Sequence, residues 1–357
     1  MEYCLELPVN PVSFGQVSTA LLREVKGRGL DPCVFPIGDL NLSTQQKDED
    51  FEKWLSQNIL KSQSEHSRDK TSIKLWHLNG SMSSNSKEQI LFTFYELDSP
   101  TRTEINIAKN NTLVTSSEYS QQVFDSCGVK SHYVPLGFDN FNFKKIDKQF
   151  FNDDRIVFNL CGKFEKRKHH AKIIQTWIKK FGGNKKYFLQ CANYNSFLSP
   201  EDNQRINNEV VGGKYIFNVN FVGFMQSNEL YNDFLNSSNI IIGMSGGEGW
   251  GLPEFQSVAL GKHAVMLNAH SYKSWANENN SVLVSPSGKI DSHDGMFFNK
   301  GSEFNQGQIF DWNEDDFISA CEEAIKRVES NSVNEEGEKL KQEFTYEKTF
   351  NKLLELI

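Results

Sequence analysis

The sequence predicts an α/β protein built from two doubly wound domains that face each other across a cleft. Two observations support this prediction. Strand-like apolar runs alternate with amphipathic helix-like segments along most of the chain, as in parallel sheets covered by helices. The alternation stops at 137–152, a stretch rich in Phe, Asn and Lys without periodicity, and then restarts. The 357 residues also suit two domains of ordinary size.

The break in the pattern sets the expected domain boundaries. We expect an N-terminal Rossmann-like domain at 1–145 and a C-terminal one at 146–335, with an interdomain linker at 137–152. The remaining residues, 336–357, contain a closing helix that we expect to pack back on the N-terminal domain. Ligands of doubly wound sheets bind at the carboxyl ends of the strands, so the loops that follow strands are the places to examine.

The N-terminal half begins with a short apolar strand, a loop that contains Pro and Gly, and a helix that Gly27 and Gly29 end. The run ILFTFY is continuously apolar, which is typical of a parallel strand buried on both faces. A later helix ends at Gly128. The predicted strands are 2–8, 33–37, 73–78, 90–95, 112–115 and 132–135, and the predicted helices are 17–26, 51–59 and 117–127.

The C-terminal half repeats the same alternation of strands and helices. Its predicted strands are 155–161, 187–191, 216–222, 240–244, 263–267 and 281–284. Its predicted helices are 170–181, 228–235, 253–260, 314–329 and 346–356.

Composition narrows the class of protein. Apolar residues are 38% and charged residues 24%, which excludes wholesale disorder, and the net charge of −8 argues against a generally basic nucleic-acid-binding surface. The six cysteines show no zinc-ligand spacing and are expected to be reduced. The start of the chain does not resemble a signal peptide, and no run of about 18 apolar residues occurs. We therefore expect a soluble cytoplasmic protein without a transmembrane segment.

The most informative stretch is SGGEGWGLPEFQSVALGKHAV, from Ser245 to Val265. It follows an apolar strand and places several glycines before a helix that Pro253 starts. Glycines let a ligand approach the backbone closely, and a helix N-terminus favours an anion. The carboxylate of Glu248 would repel phosphate, so we expect it to accept hydrogen bonds from sugar hydroxyls.

This stretch resembles the donor-binding signature of the family-four retaining glycosyltransferases, which have the GT-B fold. Their pattern runs approximately E-G-[FW]-G-L-P-x-x-E-A-x-A-x-G-x-P-V. The chain matches it from Glu248 to Pro253 and again at Ala259, Gly261 and Val265. Gln256 stands where the family has its second glutamate, and Ala264 stands where it has proline.

The resemblance implies roles for residues of this loop. Glu248 would contact the donor sugar, and Gln256 would hold the ribose hydroxyls, more weakly than a glutamate because an amide carries no charge. Glu254 is a substitute for the missing glutamate, although it is expected on the wrong face of the helix. The donor would also contact Gly247, Gly249, Trp250, Gly251 and Leu252.

A second segment, GKFEKRK, follows the strand 155–161 and is similar to the family element G-[RK]-W-E-x-R-K-G. In the family, the first and last basic residues hold the donor pyrophosphate. These residues are Lys163 and Lys168 here, and fixed cations at that point would stabilise a departing diphosphate. His169 replaces the usual glycine.

A third segment, LFTFYELDSP, resembles the family run F-E-[ST]-D-x-x-P at a strand end of the N-terminal domain. Many members of the family have a histidine near this strand end, facing the sugar. Glu96 stands at the matching position, and His77, which ends the preceding strand, is the second candidate. Gly15 lies in the loop after the first strand, where the family has a glycine that approaches the donor phosphates. A structural role for each of these three residues is an open alternative.

The resemblance implies a retaining, metal-independent transferase that moves a hexose or pentose from a nucleotide-diphosphate sugar, expected to be a UDP-sugar, to an acceptor hydroxyl. The C-terminal domain would bind the donor and the N-terminal domain the acceptor. No further cofactor is expected, and the oligomeric state is not indicated.

The acceptor is open at this stage. One candidate is hydroxymethylated cytosine in DNA, since the bias of Lys over Arg indicates an AT-rich genome and the compact two-domain form suits a phage enzyme acting in the host cytoplasm. The basic and aromatic residues expected to form its groove are Lys144, Lys145, Lys148, Phe141, Phe143, Lys61, Arg68, Lys70 and Lys74. A glycan or lipid-linked sugar is the alternative acceptor. A nucleotide-sugar-binding protein with impaired catalysis is the alternative of another class.

Overall fold

Two six-stranded parallel sheets form the framework of the computed structural model, which describes residues 2–357. The first sheet has the order β2-β1-β3-β4-β5-β6 and the second the order β12-β11-β10-β7-β8-β9. The strands of the first sheet are β1 Tyr3–Leu7, β2 Cys33–Pro36, β3 Thr71–Leu75, β4 Gln89–Thr93, β5 Thr112–Thr115 and β6 Ser131–Tyr133. Those of the second are β7 Ile156–Cys161, β8 Tyr187–Ala192, β9 Val219–Phe221, β10 Ile240–Gly243, β11 His263–Leu267 and β12 Val282–Val284.

Helices cover both sheets, as the alternating pattern predicts, and the α/β fold class with two doubly wound halves is confirmed. The helices of the N-terminal unit are α1 Ser13–Gly27, α2 Glu49–Glu65, α3 Arg102–Lys109 and α4 Glu118–Ser126. Those of the C-terminal unit are α5 His170–Phe181, α6 Pro200–Val210, α7 Asn228–Asn236, α8 Leu252–Ala259 and α9 Glu314–Ser330. The chain closes with α10 Glu335–Glu338, α11 Leu340–Glu343 and α12 Tyr346–Leu354.

The apolar runs explain the buried strands. The side chains of β4, β7, β10 and β11 are buried along their whole length, as expected for central strands with helices on both faces. No helix or strand occurs between β6 and β7 in the described residues, which agrees with the irregular segment expected at 137–152.

Several elements differ from the sequence-based expectation. Helix α1 begins at Ser13 and not at Val17, and α2 extends to Glu65, well beyond the expected end at 59. Four helices escaped prediction: the four-residue helices α10 and α11, and two longer helices whose buried faces are narrow. In α3 only Glu104, Ile107 and Ala108 are buried, and in α6 only Asn203 and Val210.

An antiparallel hairpin after the second sheet also escaped prediction. It consists of β13 Pro286–Asp291 and β14 Gln308–Trp312, joined by the loop 292–307. The side chains of β13 are mostly exposed, so the strand shows little apolar signal. We call residues 286–312 the strap, because they reach from the second sheet to the N-terminal unit.

The last helix packs against the beginning of the chain. The ring of Phe350 on α12 makes an edge contact with Tyr3 of β1, and the hydroxyl of Thr349 donates to the carbonyl of Pro135. Arg28 at the end of α1 donates to the side chain of Asn351. The end of the chain therefore lies on the N-terminal unit, after it has passed through the C-terminal one. No helix among residues 2–357 is long and apolar enough to cross a membrane.

Candidate active site

A cluster of charged side chains lies where the two sheets face each other, at the carboxyl ends of β7 and β10. Lys168 Nζ is 2.5 Å from Glu248 Oε1, and Arg167 Nη1 is 3.0 Å from the same oxygen. Arg167 Nη2 is 2.5 Å from Glu165 Oε1 and 3.1 Å from Glu96 Oε1. Because Glu96 belongs to the N-terminal unit, Arg167 joins carboxylates from both sides of the cleft.

The turn after β7 positions the two basic residues. Residues Lys166–Lys168 form a single 3-10 turn, and His169 then adopts a left-handed conformation with φ of +54°. Gly162 has φ of +104°, and a Cβ there would lie 2.8 Å from Lys168 Cε. Only glycine therefore lets the Lys168 side chain cross the end of the strand to reach Glu248.

Lys163 differs from Lys168 in its surroundings. Its Nζ lies 3.5 Å from the ring centroid of Phe297, a strap residue, and 3.5 Å from Glu165 Oε2. Its side chain is 31% exposed, whereas that of Lys168 is 10% exposed. The two lysines predicted to hold diphosphate thus occupy the rim and the floor of one site.

The glycine loop before α8 lies against the N-terminal unit. A Cβ at Gly247 would be 2.4 Å from the carbonyl oxygen of Glu96, and one at Gly249 would be 2.5 Å from Phe94 Cβ. Ser116 Oγ donates to the Gly249 carbonyl oxygen at 2.6 Å. The sequence predicts that these glycines let a ligand approach the backbone. In the structure, they also allow the close approach of the opposite wall of the cleft.

The two large residues of this loop are not both available to a ligand. Trp250 is buried and packs on Phe255 and Phe344, so its side chain is part of the core and not of the cleft surface. The predicted donor contact of Trp250 would therefore involve its backbone and not its side chain. Leu252 is partly buried and forms the first residue of α8, which Gly251 precedes with φ of +83°.

The cluster strongly perturbs the titration of its carboxyls. Burial opposes ionisation of Glu248, but Arg167 and Lys168 outweigh it and hold the pKa of Glu248 well below its usual value. Burial raises the pKa of Glu96 to about 7, since Arg167 only partly offsets it and Glu248 adds repulsion. Two carboxyls of one cluster therefore have widely separated pKa values, a common feature of catalytic sites.

The helix after the loop carries two further buried polar side chains. Gln256 Oε1 and Glu254 Oε2 are both buried, and neither accepts a hydrogen bond from any residue between 2 and 357. Burial, partly offset by Lys168, raises the pKa of Glu254 to about 7. Glu254 Oε2 would be 3.2 Å from a Cβ at Gly251. Glu254 thus lies beneath the loop, and its expected position on the wrong helix face for a ribose contact stays a prediction.

His77 lies on the opposite wall. Its ring is 4.3 Å from that of Phe14, and the ring retains solvent access. Partial desolvation by the surrounding residues and then the charge on Lys163 lower the pKa of His77 to about 4, so the ring is neutral at physiological pH. Phe14 in turn stacks on Phe94, which Gly249 approaches, so His77 belongs to the wall that faces the glycine loop.

Gly15 has a packing role at the start of α1. It lies in the first turn of α1 and not in the preceding loop, where the sequence places it. A Cβ there would be 2.1 Å from the carbonyl oxygen of Asn10. The glycine lets the loop after β1 fold back over the helix.

Sequence reasoning missed several residues that build the site. Arg167 and Glu165 lie within the GKFEKRK segment, but a run of basic residues is ordinarily a solvated surface, and only the fold buries them. His169 and His270 both have positive φ, and each has its Nε2 at 2.8 Å from a backbone carbonyl, that of Phe310 and that of Ser245. A histidine in place of a motif glycine was the available signal for His169.

No protein-family model and no curated protein matches the chain. Solved structures match it over nearly its whole length. Anabaena Alr3699/HepE in complex with UDP and glucose aligns with a TM-score of 0.69 at 12% identity, over 100% of this chain and 99% of that chain. Sucrose-phosphate synthase from Thermosynechococcus elongatus aligns with a TM-score of 0.67 at 13% identity, over 99% and 97%.

A third neighbour is WaaG, a glycosyltransferase involved in lipopolysaccharide biosynthesis, with a TM-score of 0.61 at 9% identity and 99% coverage of both chains. All three share the pair of facing doubly wound halves. The fold is GT-B. The charged cluster of Arg167, Lys168 and Glu248 lies in the GT-B cleft, at the strand ends where doubly wound sheets bind ligands.

Proposed function

We propose that this chain is a glycosyltransferase that moves a sugar from a nucleotide-diphosphate donor to an acceptor hydroxyl. The observation that carries the proposal is the buried cluster in the GT-B cleft, in which Lys168 and Arg167 converge on Glu248 beside the glycine loop. The names of the structural neighbours support it, since one was solved with UDP and glucose and another is a glycosyltransferase of lipopolysaccharide synthesis.

In the proposed reaction, Lys168 and Lys163 bind the diphosphate and stabilise the charge that develops as the bond from the sugar anomeric carbon to phosphate oxygen breaks. Lys168 is paired with Glu248 in the structure, so a bound phosphate would take over part of that pairing. Glu248, ionised at physiological pH, then accepts hydrogen bonds from donor sugar hydroxyls.

We further propose that the transfer retains the anomeric configuration. The acceptor oxygen attacks the anomeric carbon on the face from which the diphosphate leaves, and the acceptor proton passes to a departing phosphate oxygen. This route requires no protein nucleophile and no metal. In this proposal Glu96, whose pKa is raised to about 7, hydrogen-bonds the acceptor from the N-terminal unit, and His77 of the same unit is the second candidate. Gln256 holds the ribose through its amide, whose oxygen has no protein partner among residues 2–357.

For the acceptor, the pairing of the surface cations is informative. Most of the lysines expected to line a DNA groove are engaged with acidic side chains, and Phe143 is buried in the core. The pairs are Lys145 with Glu338, Lys148 with Asp233, Lys61 with Glu65, and buried Lys74 with Glu6. This pairing reduces the free positive charge expected of a DNA groove, and we propose a glycan or lipid-linked sugar as the acceptor, with hydroxymethylcytosine in DNA as the alternative.

The test is incubation of the purified chain with a panel of nucleotide sugars and three acceptors: a lipid-linked sugar, hydroxymethylcytosine DNA and unmodified DNA. Mass spectrometry of the products identifies the acceptor and the sugar, and NMR of the anomeric proton identifies the configuration. We expect product with the lipid-linked sugar, in the configuration of the donor.

Nucleotide binding without product or donor hydrolysis would favour the alternative of a sugar-nucleotide-binding protein. The same panel run with Gln256→Glu separates the two cases. If Gln256 has merely weakened the ribose contact, the glutamate variant gains donor affinity and turnover together. Absence of nucleotide binding in both forms would refute the proposed function.

A further inference from the structure

The strap makes contact with both walls of the cleft, and nothing in the proposed reaction uses it. On the N-terminal side, Ile309 is fully buried in an apolar cluster with residues such as Leu91 and Leu97. Asp98 accepts from Lys289 Nζ at 2.7 Å and from the Gln308 N–H at 2.8 Å. The strap is therefore anchored on the first sheet although it follows the second in the chain.

One residue of the strap contacts both loops of the candidate donor site. The Phe310 N–H donates to the Gly246 carbonyl oxygen at 2.8 Å, and a Cβ at Gly246 would be 2.4 Å from the Phe310 carbonyl oxygen. His169 Nε2 lies 2.8 Å from that same carbonyl oxygen. Phe310 thus connects the glycine loop before Glu248 to the turn that ends in Lys168.

The conformation of His169 gives this contact a physical meaning. Its φ of +54° is a region where glycine is relaxed and other residues are strained, and the similar family element has glycine here. A carbonyl can only accept, so Nε2 carries the hydrogen and donates it. Burial lowers the pKa of the ring and keeps it neutral. The hydrogen bond to Phe310 and the charge of Asp311 oppose this shift, whereas Lys172 and Lys166 reinforce it.

We propose that His169 is a positioning residue of the donor site, which clasps the turn carrying Arg167 and Lys168 to the strap through its hydrogen bond to Phe310. Because the strap is anchored on the N-terminal unit, the clasp fixes the two cations relative to both walls of the cleft. The effect of His169 on turnover of the nucleotide sugar rests on the proposed function. The geometry of the clasp itself is independent of it.

Three variants test the clasp. His169→Gly suits the left-handed backbone but removes the N–H group that donates to Phe310. His169→Gln keeps an N–H at the position of Nε2, and His169→Asn tolerates the backbone but is too short to reach Phe310. We expect His169→Gly and His169→Asn to lower kcat about tenfold with the donor KM changed less than twofold, while His169→Gln recovers most of the wild-type kcat.

Hydrogen–deuterium exchange provides a readout that does not depend on activity. Exchange should rise at 163–168 and 308–312 in His169→Gly and His169→Asn, and return toward wild type in His169→Gln. Wild-type kcat in His169→Gly, or equal losses in the Gln and Asn variants, would overturn the proposal. If the exchange pattern holds but the wild-type chain transfers no sugar from any donor, the clasp stands and the proposed function fails.

Discussion

Arg167 is the residue on which the two halves of the candidate site depend. It is buried, and its guanidinium contacts Glu165, Glu248 and, across the cleft, Glu96. A planar guanidinium can serve several carboxylates at fixed angles, which a lysine cannot do. The cation that we expect to meet the donor phosphate, Lys168, is held next to it on the same turn, and the two share one oxygen of Glu248.

We predict that Lys168→Met lowers kcat by about 10²–10³, the usual effect of removing one fixed group that stabilises transition-state charge. Nucleotide release in the presence of the donor sugar measures the rate. Lys179→Met, on the exposed side of α5, is the matched control and should leave the rate unchanged. Equal rates for the wild type and Lys168→Met would remove Lys168 from the proposed mechanism.

Glu254 makes stability depend on pH in a defined direction. Its pKa in the folded chain is about 7, above the ordinary 4.5, so its contribution is complete below about pH 4.5 and is lost as pH rises through 7. At pH 8 the ionised Glu254 should lower the free energy of unfolding by roughly 3 kcal/mol, since each unit of pKa shift corresponds to about 1.4 kcal/mol. We predict that Glu254→Gln removes this loss of stability.

Urea unfolding of the wild type and Glu254→Gln from pH 5 to pH 8 measures this difference. Glu96 shifts in the same direction, so some loss will persist in the variant. Glu355→Gln, in an exposed residue at the end of the chain, should reproduce the wild-type curve. The buried histidines, whose pKa values are lowered, titrate alike in both proteins, so the difference between the two curves reports Glu254. A difference that stays constant from pH 5 to pH 8 would contradict the assigned burial of Glu254.

At the scale of elements, the strap shows why some structure escapes a reading of the sequence. Hydrophobic periodicity identifies strands that are buried on one or both faces. Strand β13 is mostly exposed, and its partner β14 is buried only at Ile309 and Trp312. These two residues contact different parts of the molecule, so no local pattern indicates their role.

We predict that Asp98→Asn loosens the strap, because it removes the charge that accepts from both Lys289 and the Gln308 N–H. The expected loss of stability is about 1–2 kcal/mol, typical of hydrogen bonds to a partly buried charged group. Limited proteolysis should then cleave the loop 292–307 faster. Asp153→Asn, whose pairing with Arg155 is exposed, serves as the control and should cleave at the wild-type rate.

At the scale of the whole molecule, the ends of the chain meet. Helix α12 follows the C-terminal unit but packs on α1 and β1, and the chain also forms a parallel bridge between Phe138 and Thr345. Asn228 of α7 also connects the two units. Its side-chain Nδ2 donates to Gln16 Oε1, and its backbone N–H donates to the Thr44 carbonyl oxygen. Contacts at several separate places thus hold the two units together.

We predict that Phe350→Ala destabilises the protein by about 3–5 kcal/mol, the usual cost of removing a fully buried aromatic ring. The loss should appear as an earlier unfolding of the N-terminal unit, because Phe350 packs on Tyr3. Differential scanning calorimetry checks this, with Ile357→Ala, at an exposed position, as the control. A single transition lowered as a whole would mean that the two units unfold together.

The sequence by itself determined the alternation of strands and helices, and hence the two doubly wound halves, because burial on both faces leaves a continuous apolar run in each central strand. The resemblance to the family-four signature also indicated Lys163, Lys168 and Glu248, in segments that directly follow such strands. Only the tertiary structure decided that Arg167 is the centre of the cluster, that Trp250 lies in the core, that Glu254 lies under the loop and that the strap crosses the cleft. Each of these depends on contacts between residues far apart in the chain, which no local spacing records.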